Sequence, residues 1–240
     1  MHHMSKIAIL ITNFEGGGAQ KIALTHARAF QEAGHEVTMI ALEHQDSYQI
    51  PTDITVHFLT SGQGTAPKLS KLASFPPLPF RLATYLKKQD ISLCISHLER
   101  ADFVNILAKP LAGHTAITVI HSHLSANYGK EGSSFRSMTY LALVKWLERF
   151  ADTIVPVSQG IAENLKQLGL PKDTIQVIHN PFFIQEIQAQ AQADLGQYTD
   201  LFRHPVLLSI GRLSRQKGLW HGIKAFAEVK KSHPDLRYII

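Results

Sequence analysis

The chain has 240 residues, one cysteine (Cys94) and a formal net charge of +5 from 24 Lys+Arg against 19 Asp+Glu. That length allows one large domain or two modest ones with a proper core, while a lone cysteine excludes a disulfide scaffold and a Cys-based zinc cluster and points to a reducing compartment such as the cytoplasm. Hydrophobic residues at 45% and charged residues at 18% exclude a disordered or fibrous chain, no run approaches the ~20 apolar residues of a membrane span, and Met1 to Lys6 lacks a signal-peptide pattern.

Short β-branched runs alternate with helix-period segments, the pattern of an α/β fold with a mainly parallel sheet. Residues 6–12 (KIAILIT) read as a buried first strand, 13–18 as a loop and 19–32 as a helix, closed by Gly34 where a left-handed cap is wanted. Residues 37–42 and 54–59 are the next two strands. After the Pro76-Pro77-Leu78-Pro79 turn a helix is expected near 80–88, then a strand at 91–96, a helix at 101–111 and a strand at 116–120. Residues 136–150 form an amphipathic helix with Tyr140, Leu143, Val144 and Leu147 on one side. A strand at 153–157, a helix at 160–168 and a strand at 174–178 complete the first unit. Residues 181–204, rich in Gln and Ala, read as a linker or mobile helix. A strand–glycine loop–helix step then begins again at 205–210, 211–218 and 219–231, and 237–240 opens another strand. The expected organisation is therefore a Rossmann-like domain over 1–180, a linker over 181–204 and the start of a second Rossmann-like domain over 205–240.

Charge is unevenly spread: residues 66–150 hold eleven Lys/Arg against five Asp/Glu. Within this excess Lys68, Lys71, Arg81, Lys87 and Lys88 stand beside Phe75, Phe80 and Tyr85 with no acid between them. Such a stretch suits either a solvated helix face or contact with an anionic membrane.

Two glycine loops fall at equivalent places, each after a strand and before a helix. Gly16, Gly17 and Gly18 would let a ligand approach the backbone and the unpaired N–H groups of a helix N-terminus, although the loop fits neither the dinucleotide fingerprint nor a P-loop. Gly211, with Arg212 as a bidentate fork and Lys217 as a point charge, suits a diphosphate. Strand ends also carry His97, His121, His123 and His179, and ligands bind at the carboxyl edge of such sheets. His121 and His123 have no local carboxylate, and no D-x-D triplet occurs, so no metal site is expected. Ser158 sits where a helix N-cap belongs, with N–H groups that could also meet ligand.

GGGAQ after the first strand, TVIH ending at His121, PVSQGIAENL from Pro156, VIHNP containing Asn180, and LLSIGRLSRQKG from Leu207 together resemble the retaining glycosyltransferases of family 4, over nearly the whole chain and in the right order. The resemblance implies the GT-B architecture, with a nucleotide-sugar donor, a glycan or lipid-linked acceptor, retention of anomeric configuration, and neither metal nor other cofactor. It implies that Gly211, Arg212 and Lys217 hold the donor diphosphate, that His121 acts beside the reacting sugar, and that Gly16, Gly17 and Gly18 line the substrate loop. His97, His123, Ser158 and Asn180 are further candidates for the cleft. The family's paired glutamates, seven residues apart, do not occur in 206–240, so the expectation is a fragment lacking most of the donor domain and inactive alone. The expected setting is surface polysaccharide or lipopolysaccharide biosynthesis in the cytoplasm, peripheral at the inner face of the membrane, with no nucleic-acid partner. Two other readings remain: a nucleotide-sugar epimerase of the same architecture, and a non-catalytic module that binds glycan or an anionic membrane.

Overall fold

The computed structural model describes residues 4–15, 17–44, 53–60, 76–128, 134–214 and 217–240. The chain divides into two compact units, Met1–Phe182 and Phe183–Ile240.

The first unit is a six-stranded parallel sheet in the order β3-β2-β1-β4-β5-β6. Its strands are β1 Lys6–Ile11, β2 Glu36–Ala41, β3 Thr55–Phe58, β4 Leu93–His97, β5 Thr115–Ile120 and β6 Thr153–Pro156. β1 is apolar throughout because alternate side chains enter two different cores. Ala8 and Leu10 pack with Ile40, Leu42 and Cys94 beneath helices α2 (Pro77–Gln89) and α3 (Glu99–Ala112). Ile7, Ile9 and Ile11 pack with Met39, Ile95 and Val119 beneath α1 (Gly18–Glu32). A third cluster joins α3 to α4 (Leu124–Tyr128), α5 (Phe135–Glu148) and α6 (Gln159–Gln167) through Phe103, Ile106, Val144, Leu147 and Leu165.

Two expectations change, and a third is made specific. The Pro76-Pro77-Leu78-Pro79 turn is instead the start of α2, since prolines are tolerated in a first turn whose N–H groups have no partner anyway. Residues 174–178 do not form a strand. A 3₁₀ turn at Lys172–Thr174 leads to one bridge, Ile154 to Ile175, and two bonds, Gln176 N to Ile154 O at 3.0 Å and Ile178 N to Pro156 O at 3.3 Å. Pro156 has no N–H to return, so the ladder stays one-sided. The linker segment contains helix α7 (Ile184–Ala191) and a 3₁₀ run at Gly196–Arg203.

The second unit pairs β7 (Val206–Leu208) with β8 (Arg237–Ile239) in parallel through helix α8 (Leu219–Ser232). Tyr238 fixes that arrangement: its hydroxyl shares a 2.9 Å hydrogen bond with Ser209 and lies where a Cβ on Gly222 would come within 2.5 Å.

Candidate functional site

The strand order of the first unit reverses direction between β1 and β4, and the carboxyl ends of these strands and of β5 bring three histidines together. His97 ends β4 fully buried, with its Nδ1 2.9 Å from Nε2 of His121, which follows β5. The two rings stack with centroids 5.2 Å apart, and the His26 ring of α1 also lies 5.2 Å from that of His97. Burial lowers all three imidazoles. His121 falls to about 4, burial first and the His26 charge second, and His97 falls well below the usual value from burial and then from the His121 and His26 charges. At neutral pH the cluster is therefore uncharged.

Neutral rings hold one proton along the His97–His121 bond, and which ring donates it depends on the tautomer. His97 Nε2 is buried without a hydrogen-bond partner among the described residues. Leu98, directly after His97, has φ 77° and ψ 141°, a left-handed conformation rare for a branched side chain, so strain is stored next to the cluster.

Around this cluster the other predicted residues are distributed as follows. Gly17 is the extended N-cap of α1, whose first turn has no side-chain cap and no acid, and a Cβ at Gly18 would meet nothing within 4 Å. Gly16 lies outside the described residues, as do Lys68, Lys71 and Phe75. Asn13 closes the loop by accepting from Glu15 N at 3.2 Å. Ser158 caps α6, its Oγ accepting from Ile161 N at 3.3 Å. His123 caps α4 from outside the cluster, its Nδ1 accepting from Ala126 N at 3.2 Å. His179 donates from Nδ1 to Val157 O at 3.4 Å, and Asn180 keeps a buried Oδ1 without a partner among the described residues. Among the described residues no three His, Cys, Asp or Glu side chains form a group that could hold a metal ion.

In the second unit Gly211 follows β7, and the stem of Lys217 runs over it, with Cε 3.6 Å from where its Cβ would stand. Arg212 O accepts from Ser214 N at 2.8 Å, and Gly218, at φ +62°, turns the chain into α8. Arg212 and Lys217 are exposed and pair with no carboxylate among the described residues. Two free cations on a glycine turn ahead of a helix suit a diphosphate.

Sequence reasoning missed His26 and a buried polar layer beneath the site. His26 stands one turn after Ile22 on the inward face of α1, a periodicity that would have placed it against β4. In the polar layer, Asn105 Nδ2 donates to Cys94 O (3.1 Å), Ser96 Oγ (3.0 Å) and Ile117 O (3.2 Å), while its Oδ1 accepts from His114 Nε2 at 2.8 Å. Beside it two carboxyls, Asp102 and Glu148, are fully buried. Thr118 Oγ1 donates to Glu148 Oε2 at 2.7 Å. Burial raises both carboxyls, Glu148 to about 7 and Asp102 well above the carboxylate range, the latter helped by the Glu148 charge.

Residues 16–185 match the model of Glycosyltransferase Family 4. An uncharacterized glycosyltransferase of Methanocaldococcus jannaschii is 30% identical over 117 residues, covering 46% of this chain and 28% of that protein. HepE from Anabaena, solved in complex with UDP and glucose, shares the fold with a TM-score of 0.73 at 19% identity, over 99% of this chain and 61% of its own. The lipopolysaccharide outer core galactosyltransferase WaaB shares it with a TM-score of 0.59 at 19% identity, over 91% of this chain and 57% of its own. The chain thus spans less than two thirds of the length of each. With the match extending over most of its residues, the chain belongs to Glycosyltransferase Family 4.

Proposed function

We propose that the chain serves the transfer of a sugar from a nucleotide-sugar donor to a glycan or lipid-linked acceptor, with retention of configuration, in surface polysaccharide or lipopolysaccharide assembly. The observation that carries the reading is the pair of cations, Arg212 and Lys217, on the glycine turn after β7, neither paired with a carboxylate among the described residues. As the bond from the anomeric carbon to the diphosphate breaks, negative charge gathers on the leaving phosphate oxygens, and fixed cations that need no rearrangement stabilise it. The acceptor hydroxyl oxygen forms the new bond at that carbon and its proton passes to an oxygen of the leaving diphosphate. His121, uncharged at neutral pH, hydrogen-bonds a sugar hydroxyl or the developing charge. Family membership supports the transferase class, and the galactosyltransferase and HepE likenesses support a polysaccharide setting and a nucleotide-sugar donor.

The test is titration with nucleoside diphosphates, together with product analysis on labelled nucleotide sugars. Arg212→Ala and Lys217→Ala should each weaken diphosphate binding about ten-fold or more, the worth of one charge-assisted hydrogen bond. Unchanged binding in both would remove the assignment. Released nucleotide with a lengthened acceptor identifies a transferase; an isomerised nucleotide sugar without acceptor identifies an epimerase and refutes the reading.

A further inference from the structure

Helix α5 is apolar on two faces, and among the described residues only one is packed. Val144 and Leu147 enter the core with Tyr140 and Leu141 beside them. At 3.6 residues per turn, Phe135 and Trp146 fall on the opposite face, where they are 83% and 55% exposed, and Met138 and Leu143 flank them at 59% and 43%. Phe150, 52% exposed, lies two residues past the helix with its ring 5.3 Å from that of Trp146. Four large exposed apolar side chains over about 21 Å of helix, with Phe150 just beyond its end, exceed the scatter expected on a soluble surface.

The charges on this helix say what covers it. Arg136 lies on one flank of the aromatic stripe, with Lys145 and Arg149 on the other. The helix's one acid, Glu148, is fully buried on the inward side, so the outward surface, made by Arg136, the half-buried Lys145 and the capping Arg149, carries three cations and no carboxylate. A second copy seated on this face would set three cations against three with nothing on either helix to neutralise them. Protein interfaces are depleted in charge at their centre, whereas these cations stand within one turn of the aromatics. An aromatic stripe flanked by Lys and Arg is the composition of a helix lying in the plane of a bilayer, with rings at headgroup depth and cations against anionic lipid.

We propose that the outward face of α5 is the docking surface for an anionic lipid bilayer. This names a surface for a membrane contact other than the basic stretch at 68–88; in its described part, 76–88, α2 turns Leu78, Leu82 and Leu86 inward and leaves Phe80 as its one exposed aromatic. It does not rest on the transferase reading: a chain that binds vesicles and transfers no sugar would keep the surface and lose the activity.

The experiment is partition of the 240-residue chain onto vesicles of phosphatidylcholine, alone or mixed with phosphatidylglycerol, in a Trp220→Phe background so that emission reports Trp146. Binding should require phosphatidylglycerol and fall as salt rises. Trp146 emission should shift to shorter wavelength and be quenched by brominated lipid. Arg136→Gln, Lys145→Gln and Arg149→Gln should each lower the partition coefficient about five-fold, and Phe150→Ser about ten-fold or more, with far-UV circular dichroism unchanged because all four positions are on the outward side. Equal binding to neutral vesicles overturns the proposal, as does no binding at all. Vesicle binding with unmoved Trp146 emission does so too, because the contact then lies elsewhere. A lipid-free dimer that buries Trp146 assigns the face to a second copy and equally overturns it.

Discussion

Replacing Glu148 by Gln should change the pH dependence of stability and leave the fold intact. Burial raises the Glu148 carboxyl from 4.5 to about 7. Below pH 4.5 it is protonated in folded and unfolded chains alike and has no effect on the balance. As pH rises from 4.5 to 7 the unfolded chain releases the proton first, so stability falls, and above 7 the loss is complete. The gap between those values corresponds to about 3 kcal/mol, an order-of-magnitude figure that the neighbouring Asp102 carboxyl modifies. Gln keeps the shape and the acceptor that Thr118 Oγ1 uses at 2.7 Å, but carries no charge at any pH. It also brings an NH₂ to the place of Oε1, which has no partner, a cost nearly independent of pH. Relative to the unsubstituted protein, Glu148→Gln should therefore gain about 3 kcal/mol between pH 4.5 and pH 8, read by urea denaturation followed by circular dichroism at both pH values. In a domain of this size that corresponds to roughly 6–12 °C of thermal midpoint. An effect of the substitution that is equal at the two pH values would refute the argument, because it would mean the carboxyl ionises as readily inside the protein as outside it.

Asn105→Leu keeps the side-chain volume but leaves His114, Ser96 and the Cys94 and Ile117 carbonyls short of a partner; a loss of about 3 kcal/mol or more is expected by urea denaturation, and a loss under about 1 kcal/mol would contradict it. Leu98→Gly should relieve the φ of 77° that Leu98→Ala retains, making the glycine variant more stable than the alanine one by about 1 kcal/mol; the reverse order in thermal melts would show the backbone unstrained. The Cys94 thiol is fully buried and its ionisation is raised by that burial, then by the Asp102 charge. It should resist an aromatic disulfide reagent in the native protein and react completely in urea; rapid native labelling would place it at the surface.

The parts of this protein readable from sequence are those where one local signal decides. β1 is recognisable because six consecutive apolar-rich residues can be buried on both sides only in a central parallel strand. Ser158 is recognisable as a cap, and the structure gives it that bond. His97 and His121 were legible as strand-end residues, and the sheet order brings them to 2.9 Å. What stayed hidden depends on pairs distant in the chain. Asp102 and Glu148 are 46 positions apart, and each alone reads as an ordinary helix-surface acid; only the packing of α3 against α5 buries both. The outward stripe of α5 was hidden differently: its apolar residues circle the helix, so an expectation of one buried side accounted for Val144 and Leu147 but also took in Leu143, which is exposed.

Pro156 has a further effect at the margin of the sheet. β6 pairs with β5 on one side and on the other meets only Ile175 and the two bonds from Gln176 and Ile178. An edge strand with alternating donors and acceptors is a template on which any other extended segment can add. Here one donor is missing from the covalent structure itself, and the short covering segment occupies the acceptors Ile154 O and Pro156 O. β6 is therefore a poorer template for another molecule's strand on that side.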